Sequence, residues 1–388
     1  MTGKNSIPKG AEITINDMLD CCARLQRGQK VVIAADLDDV FGKKDWDVDE
    51  LAIEWIKNAV EERECSCEIL WMNEPDRPDE WVFPEELKKA IARNDLLILH
   101  GQNLACEEMA PFWRELSVHK TRVVRNFAGT APLLCSYWAQ TPYELVSEIR
   151  FQASKPFVQG AKYVMTDPNG TFLEGEITAP AKKKIVPGPP YSGRRTEEGT
   201  EYYPYPEWLH PPVSVKDTNG VFVFDCMLSW WSRYIGISPY FNYPITLNIE
   251  NNHITGIEGK KEADALRKFL KKMDGILGPG VWDFDTFHFG VHPQASVSPQ
   301  QCPNVLLRRT IEHSDSCNLH IHIGAPPPSD NYPYWMHLTG DLRNPTLRVG
   351  NVYVYENGYL NALDDPAVKK IEEKYPGRPG TGKMPVCF

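Results

Sequence analysis

Over the first 150 residues the apolar positions switch repeatedly between a helical period and short unbroken runs. Ile13, Ile15, Met18, Leu19 and Cys22 form a stripe that predicts a helix over 11–28, ended by Gly28. Residues 31–35 form a continuous apolar run closed by Asp36, Asp38 and Asp39, which predicts a buried strand leading into a polar loop. Helical spacing returns at Leu51, Ile53, Trp55, Ile56 and Val60, and strand-like runs follow at 68–72, 96–99 and 122–127. A short helix is predicted over 85–93, opened by Pro84, and Thr141-Pro142-Tyr143-Glu144 has the spacing of a capping box. Strands alternating with helices predict an open, largely parallel sheet, whose active residues collect at the carboxyl ends of its strands. Asp36, Asp38 and His100 hold such positions.

The pattern changes near residue 155. Short strand-like runs dominate from there, at 162–165, 221–224, 245–249, 319–323, 346–349 and 351–355, with one helical interval over 258–277. Residues 180–215 are rich in Pro, Gly and Tyr and read as a long functional loop, with 190–212 lining or covering a cleft. The tail from Glu372 reads as loosely packed. The expected architecture is two domains: an α/β open parallel-sheet domain over 1–155 and a β-rich α+β domain over 156–388.

Composition narrows the function. A chain of 388 residues with 42% hydrophobic positions can bury a core without disulfide staples. Its net charge of -10 disfavours nucleic acid as a partner, and the one basic run, Lys182-Lys183-Lys184, reads as a solvated loop. No run of apolar residues is long enough to span a bilayer. The first ten residues, MTGKNSIPKG, lack the apolar core of a signal peptide. A cytoplasmic protein is expected. The ten cysteines form no paired CxxC motif and read as reduced and structural, Cys65 and Cys67 included. There is no GxGxxG or Walker A pattern.

Candidate chemistry lies in the last third. Of the ten histidines, His288, His292, His313, His320, His322 and His337 fall within one stretch. In NLHIHIG, His320 and His322 flank Ile321, so a strand there turns both imidazoles to one face. His337 precedes Asp341 by four residues. Imidazoles with a carboxylate suit Zn²⁺ or Fe²⁺, and two His with one carboxylate leave positions open for substrate, water or dioxygen. The same histidines could instead cap turns in a polar groove, the reading preferred for His119 and His253.

Several stretches resemble a known family: TDPNGTFLEGEI (166–177), NGVFVFD (219–225), PITLNIENNHITGIEGKKEADAL (244–266), HFGVHPQA (288–295), NLHIHIG (318–324) and HLTGDLRNPTLRVG (337–350). Together they resemble the C-terminal domain of the M29-type metallo-aminopeptidases and of their relative, 2,5-dihydroxypyridine 5,6-dioxygenase. The resemblance implies either a two-metal peptidase or an enzyme with one ferrous ion on two His and one Asp. In the second branch His288 and His337 match the two His positions. The family's His-x-Asp pattern departs here, with Thr339 at the Asp position, so Asp341 or His322 supplies the third ligand. The resemblance also implies a homo-oligomer.

A single-metal site fits better than a bridged pair, because the central strand carries His320 and His322 in place of acids. The leading expectation is a mononuclear Fe²⁺ dioxygenase using O₂ to open a hydroxylated aromatic or N-heterocyclic small molecule, with His100 or His210 moving protons. The alternative is a Zn²⁺ or Mn²⁺ hydrolase of a small amide or peptide bond, with His320, His322 or Glu312 as base. A non-catalytic metal- or ligand-binding protein is the third.

Overall fold

The structure of the protein is a computed structural model that describes residues 7–36, 48–72, 82–101, 109–180, 185, 194–195, 200–206, 209–324, 326 and 336–384. Asp38, Asp39 and Lys182–184 lie outside these residues, as does much of the 190–212 segment.

The strands of the first half are β1 (Lys30–Asp36), β2 (Ser66–Met72), β3 (Leu96–His100) and β4 (Arg122–Asn126). They pair in parallel in the order β2-β1-β3-β4. β1 and β3 are buried along almost their whole length, which is why they read as unbroken apolar runs rather than alternating ones. Helices Glu50–Glu62, Glu85–Arg93 and Ala110–His119 follow successive strands. The first helix is shorter than its stripe implies. It becomes a π-turn over Asp17–Cys22 and stops before Arg24, whose φ is 50°.

A second, larger sheet of eleven strands is antiparallel throughout. It begins with β5 (Lys162–Thr166) and β6 (Phe172–Ile177). The expectation of an N-terminal parallel sheet and a β-rich remainder is met at this level. Residues 180–215 are not one long loop. Their described part includes β7 (Arg194–Arg195) and β8 (Glu201–Tyr205), which return to the first sheet, β8 parallel to β4 and β7 antiparallel to β8. The Tyr205 hydroxyl lies 2.9 Å from the carbonyls of both Thr14 and Ala139 and so ties β8 to two helices. A tyrosine- and proline-rich segment becomes a strand here because β4 offers it a ready row of backbone partners.

The long β9 (Val213–Cys226) organises the second sheet, pairing with β6 and with β10 (Tyr240–Glu250), which in turn pairs with β11 (His253–Glu258). Three short strands, β12 (Thr286–Phe289), β13 (Leu319–Ile323) and β14 (Leu338–Leu342), bridge its two ends. β12 pairs with Val213 and Ser214, and β14 meets Cys226. The sheet finishes with β15 (Thr346–Val349), β16 (Val352–Glu356) and β17 (Tyr359–Leu360).

Two local expectations need correction. The capping box at Thr141 does not form: its hydroxyl donates back to the Tyr137 carbonyl. The helix Tyr143–Ser154 is instead capped from afar, the Tyr143 N–H donating to the Asp17 carboxylate at 2.9 Å. The same carboxylate receives Arg378 at 2.8 Å, so the tail is not loose. Lys374 and Tyr375 both reach Glu144 at 2.7 Å, and Gln294 grips the tail through the Gly380 and Gly382 carbonyls and the Met384 N–H. Among the described residues no helix is long and apolar enough to cross a membrane, and the cysteines are free thiols.

Gly290 ends β12 against the turn that carries Ser314 and Asp315. A Cβ at this position would meet the Asp315 carbonyl oxygen at 2.0 Å and Ser314 backbone atoms at 2.4 Å. Backbone cannot swing aside as a side chain does, so Gly290→Ala is expected to cost about 3 kcal/mol or more. Chemical denaturation measures this, and an alanine variant as stable as the wild type would refute the close approach.

Candidate metal centre

Strand register alone brings most of the histidines together. In β12 and β13, His288 lies directly opposite His320, and in β13 and β14, His320 lies opposite Asp341. One step along, His322 faces Thr339. Side chains two apart on a strand share a face, so His288, His320, His322, Thr339 and Asp341 all project from the same side. His337, two residues before Thr339, continues that face. The result is a patch of imidazoles set by the ordinary spacing of cross-strand neighbours.

Their rings form a continuous series. His313 lies 3.9 Å from His320 between centroids, His320 is 5.1 Å from His288, His288 is 4.5 Å from His322, and His322 is 4.7 Å from His337. His320 is fully buried and His288 nearly so, whereas His322 and His337 are half-buried and form the outer rim. Within the series, ligand nitrogens of His288, His320 and His322 all lie within 4.8 Å of one another. The His322 ring is held by Thr286, whose hydroxyl is 3.0 Å from Nδ1.

The residues fit a divalent cation. Neither ring nitrogen of His320 has a hydrogen-bond partner. A neutral imidazole always carries one N–H and one lone pair, and leaving both unsatisfied in the interior costs free energy. Burial, followed by the neighbouring His313, His288, His322 and His337, pushes the His320 pKa well below the usual histidine range. The ring is therefore neutral and able to ligate at neutral pH, as metal binding requires.

Asp341 is placed differently from the expectation that made it a ligand. It is fully buried, and its Oδ2 accepts from Arg309, from His313 Nδ1 at 2.7 Å and from Asn318 Nδ2 at 3.2 Å. Burial pushes its carboxyl up, but His313 and Arg309 beside it outweigh that and hold it well below the usual carboxylate range. Burial lowers the His313 pKa against the opposing pull of Asp341. The pair is then a carboxylate and a neutral imidazole donating from Nδ1, the arrangement found behind many metal-bound histidines. Thr339 is also committed, its hydroxyl accepting from the Leu228 N–H at 2.8 Å.

His100 and His210 lie apart from the patch. His100 is buried at the end of β3, with Nδ1 3.0 Å from Asn126 Nδ2 and Nε2 2.9 Å from the Gly129 carbonyl. Burial draws its pKa down to about 4. His210 stacks on Phe289 at 4.1 Å and donates from Nδ1 to the Pro211 carbonyl. Because Phe289 follows His288 on one strand, it faces the opposite side of the sheet, and His210 goes with it. His292 is buried near Trp138, while His119 and His253 sit beside Glu115 and Asp283 at the surface.

Sequence reasoning assigns His313, Arg309 and Thr286 no role. Arg309 and His313 come from the helix Val305–Glu312 and its end, an element absent from the expected succession. The available signal is Asn304, whose side chain caps that helix by accepting from Leu306 and Leu307.

The chain shares its fold with a dioxygenase. The 2,5-dihydroxypyridine dioxygenase from Pseudomonas putida superposes with a TM-score of 0.61 at 16% identity, over 91% of this chain and 98% of that one. AmpT from Thermus thermophilus, an M29-type aminopeptidase, superposes with a TM-score of 0.50 at 12% identity, over 90% and 98%. Both branches to which the motifs bear a resemblance are thus matched in fold. No protein-family model and no curated protein matches the sequence.

The Asp341–Arg309 pair yields a prediction that separates anchoring from ligation. Removing one partner of a buried pair strands the other charge, at a cost of about 3–5 kcal/mol. Asp341→Ala is expected to lose that much stability in metal-free protein, measured by urea unfolding in chelator. Unchanged apo-protein stability would show that the carboxylate is not an anchor.

Proposed function

We propose that the chain is a mononuclear metal-dependent enzyme acting on a small molecule, with His288, His320 and His322 as its ligands. The carrying observation is His320, a fully buried imidazole between others with no hydrogen bond at either nitrogen. A divalent cation there would supply Lewis acidity toward a substrate oxygen, together with reactivity toward dioxygen if it is Fe²⁺ or toward a bound water if it is Zn²⁺.

The favoured reaction is oxygen-dependent opening of a hydroxylated aromatic or N-heterocyclic ring. The fold shared with 2,5-dihydroxypyridine dioxygenase supports it, as does the presence of His337 beside the cluster. In this reading the half-buried rim of His322 and His337 receives the substrate. His337 stands edge-on to His322 and accepts the substrate hydroxyl proton on a ring nitrogen. The helix Val305–Glu312, anchored through Arg309, closes the inner end and keeps water from His320. The proton-moving role expected of His320 and His322 passes to His337, since those two become ligands.

A second reading is hydrolysis of a small amide or peptide bond. It is favoured by the donor set, three imidazoles without a carboxylate, which resembles zinc sites that activate water.

Metal analysis of anaerobically purified protein is expected to show one transition metal per chain, with His288→Ala and His320→Ala emptied of it. Oxygen uptake with hydroxylated N-heterocycles should follow iron content, and His337→Ala should retain metal while losing turnover. Anaerobic cleavage of amide substrates by zinc-loaded protein would transfer the assignment to the hydrolase. Wild-type protein that binds no divalent metal would end both readings.

A further inference from the structure

A cavity of about 560 Å³ lies beside the imidazole patch but contains none of its histidines. Its wall combines Cys135 and Tyr137 from the N-terminal half with Arg309, Asn318, Arg343 and Lys383 from the C-terminal half. That volume falls in the ordinary range for small-molecule sites. Ser296 and Lys383, both exposed, place it at the surface.

The charges of the wall define what it can hold. Each cation already has a carboxylate: Arg309 has Asp341, Arg343 has Asp225 at 2.8 Å, and Lys383 has Asp315 at 3.0 Å. Since every cation is matched, the wall has no surplus charge for a polyanion. What it lacks is one donor's partner and one acceptor's partner. Arg309 Nε and Asn318 Oδ1 have no hydrogen bond, although Arg309 is 1% and Asn318 2% exposed. A buried group left this way costs about 1–3 kcal/mol. A ligand must therefore bring an acceptor for the guanidinium N–H and a donor for the amide oxygen.

We propose that this cavity binds a small zwitterion of amino-acid type, its carboxylate accepting from Arg309 and its ammonium donating to Asn318. A molecule with only one of these groups satisfies half of the site. The same two residues hold Asp341 through their other nitrogens, so the occupant sits one residue removed from the imidazole patch. The proposal does not depend on the metal reading.

The test is isothermal titration calorimetry of the metal-free full chain with the proteinogenic L-amino acids. Each is compared with its decarboxylated amine and its deaminated acid. At least one amino acid should bind about tenfold more tightly than either counterpart, the value of one hydrogen bond to a charged group. Ser296→Trp, at an exposed position, should fill the cavity and abolish binding with the melting temperature unchanged. Gln301→Trp serves as a second filling variant should the first fail to fold. The proposal is overturned if no amino acid binds more tightly than about 10 mM. It is equally overturned if the amine or acid binds as well, or if a folded filled variant binds undiminished. Because metal is absent throughout, failure leaves the metal assignment where it stands.

Discussion

Several imidazoles can be buried on one face of a sheet only if they stay neutral, and the ion pair between Asp341 and Arg309 secures this. Asp341 lies directly across from His320. An unpaired carboxylate there would be costly to bury and would favour a proton on a neighbouring imidazole. Arg309 takes that charge instead and leaves His313 free to donate as a neutral ring. The rest of the inner end follows from this contact. The helix Val305–Glu312 must dock with Arg309 inward, and the turn after it must approach β12 closely enough that only glycine fits at residue 290.

The two faces of β12 divide the labour between rigidity and chemistry. Phe287 and Phe289 point into an aromatic layer with Phe157, Tyr163, His210 and Tyr355, whose hydroxyl donates to the Gly290 carbonyl at 2.7 Å. His288 points the other way. A strand held by dense aromatic packing on one side gives the imidazole on its other side a fixed position, which a preorganised site needs. The tail adds a longer-range constraint. Arg378 shares the Asp17 carboxylate with the N-terminus of a helix in the first half, and Gln294 grips the tail from a loop of the second. The cavity lined by both halves lies where these ties converge.

Much of this is legible in local pattern. The strands near 31–35, 96–99, 319–323 and 346–349 and the helix over 85–93 are visible because burial on one or both faces imprints a period on consecutive residues. The same rule puts His320 and His322 on one face from their spacing alone. Neighbouring positions fail where local pattern and long-range contact disagree. Thr141 offers a cap, yet Asp17 supplies it from more than a hundred residues away. Residues 201–205 have the composition of a loop but find a parallel partner in β4.

The sequence by itself determined the succession of elements, the shared face of His320 and His322, and the concentration of ligand-type side chains in one stretch. Tertiary structure decided which of those side chains form the site. Asp341 has the residue type and spacing of a ligand, but Arg309 and His313, more than twenty residues distant, claim its carboxylate. His288 joins His320 because β12 pairs with β13 in one particular register. Periodicity is a property of adjacent residues and survives in the sequence. The partner of a buried charge is set by the packing of remote segments, which local pattern does not encode.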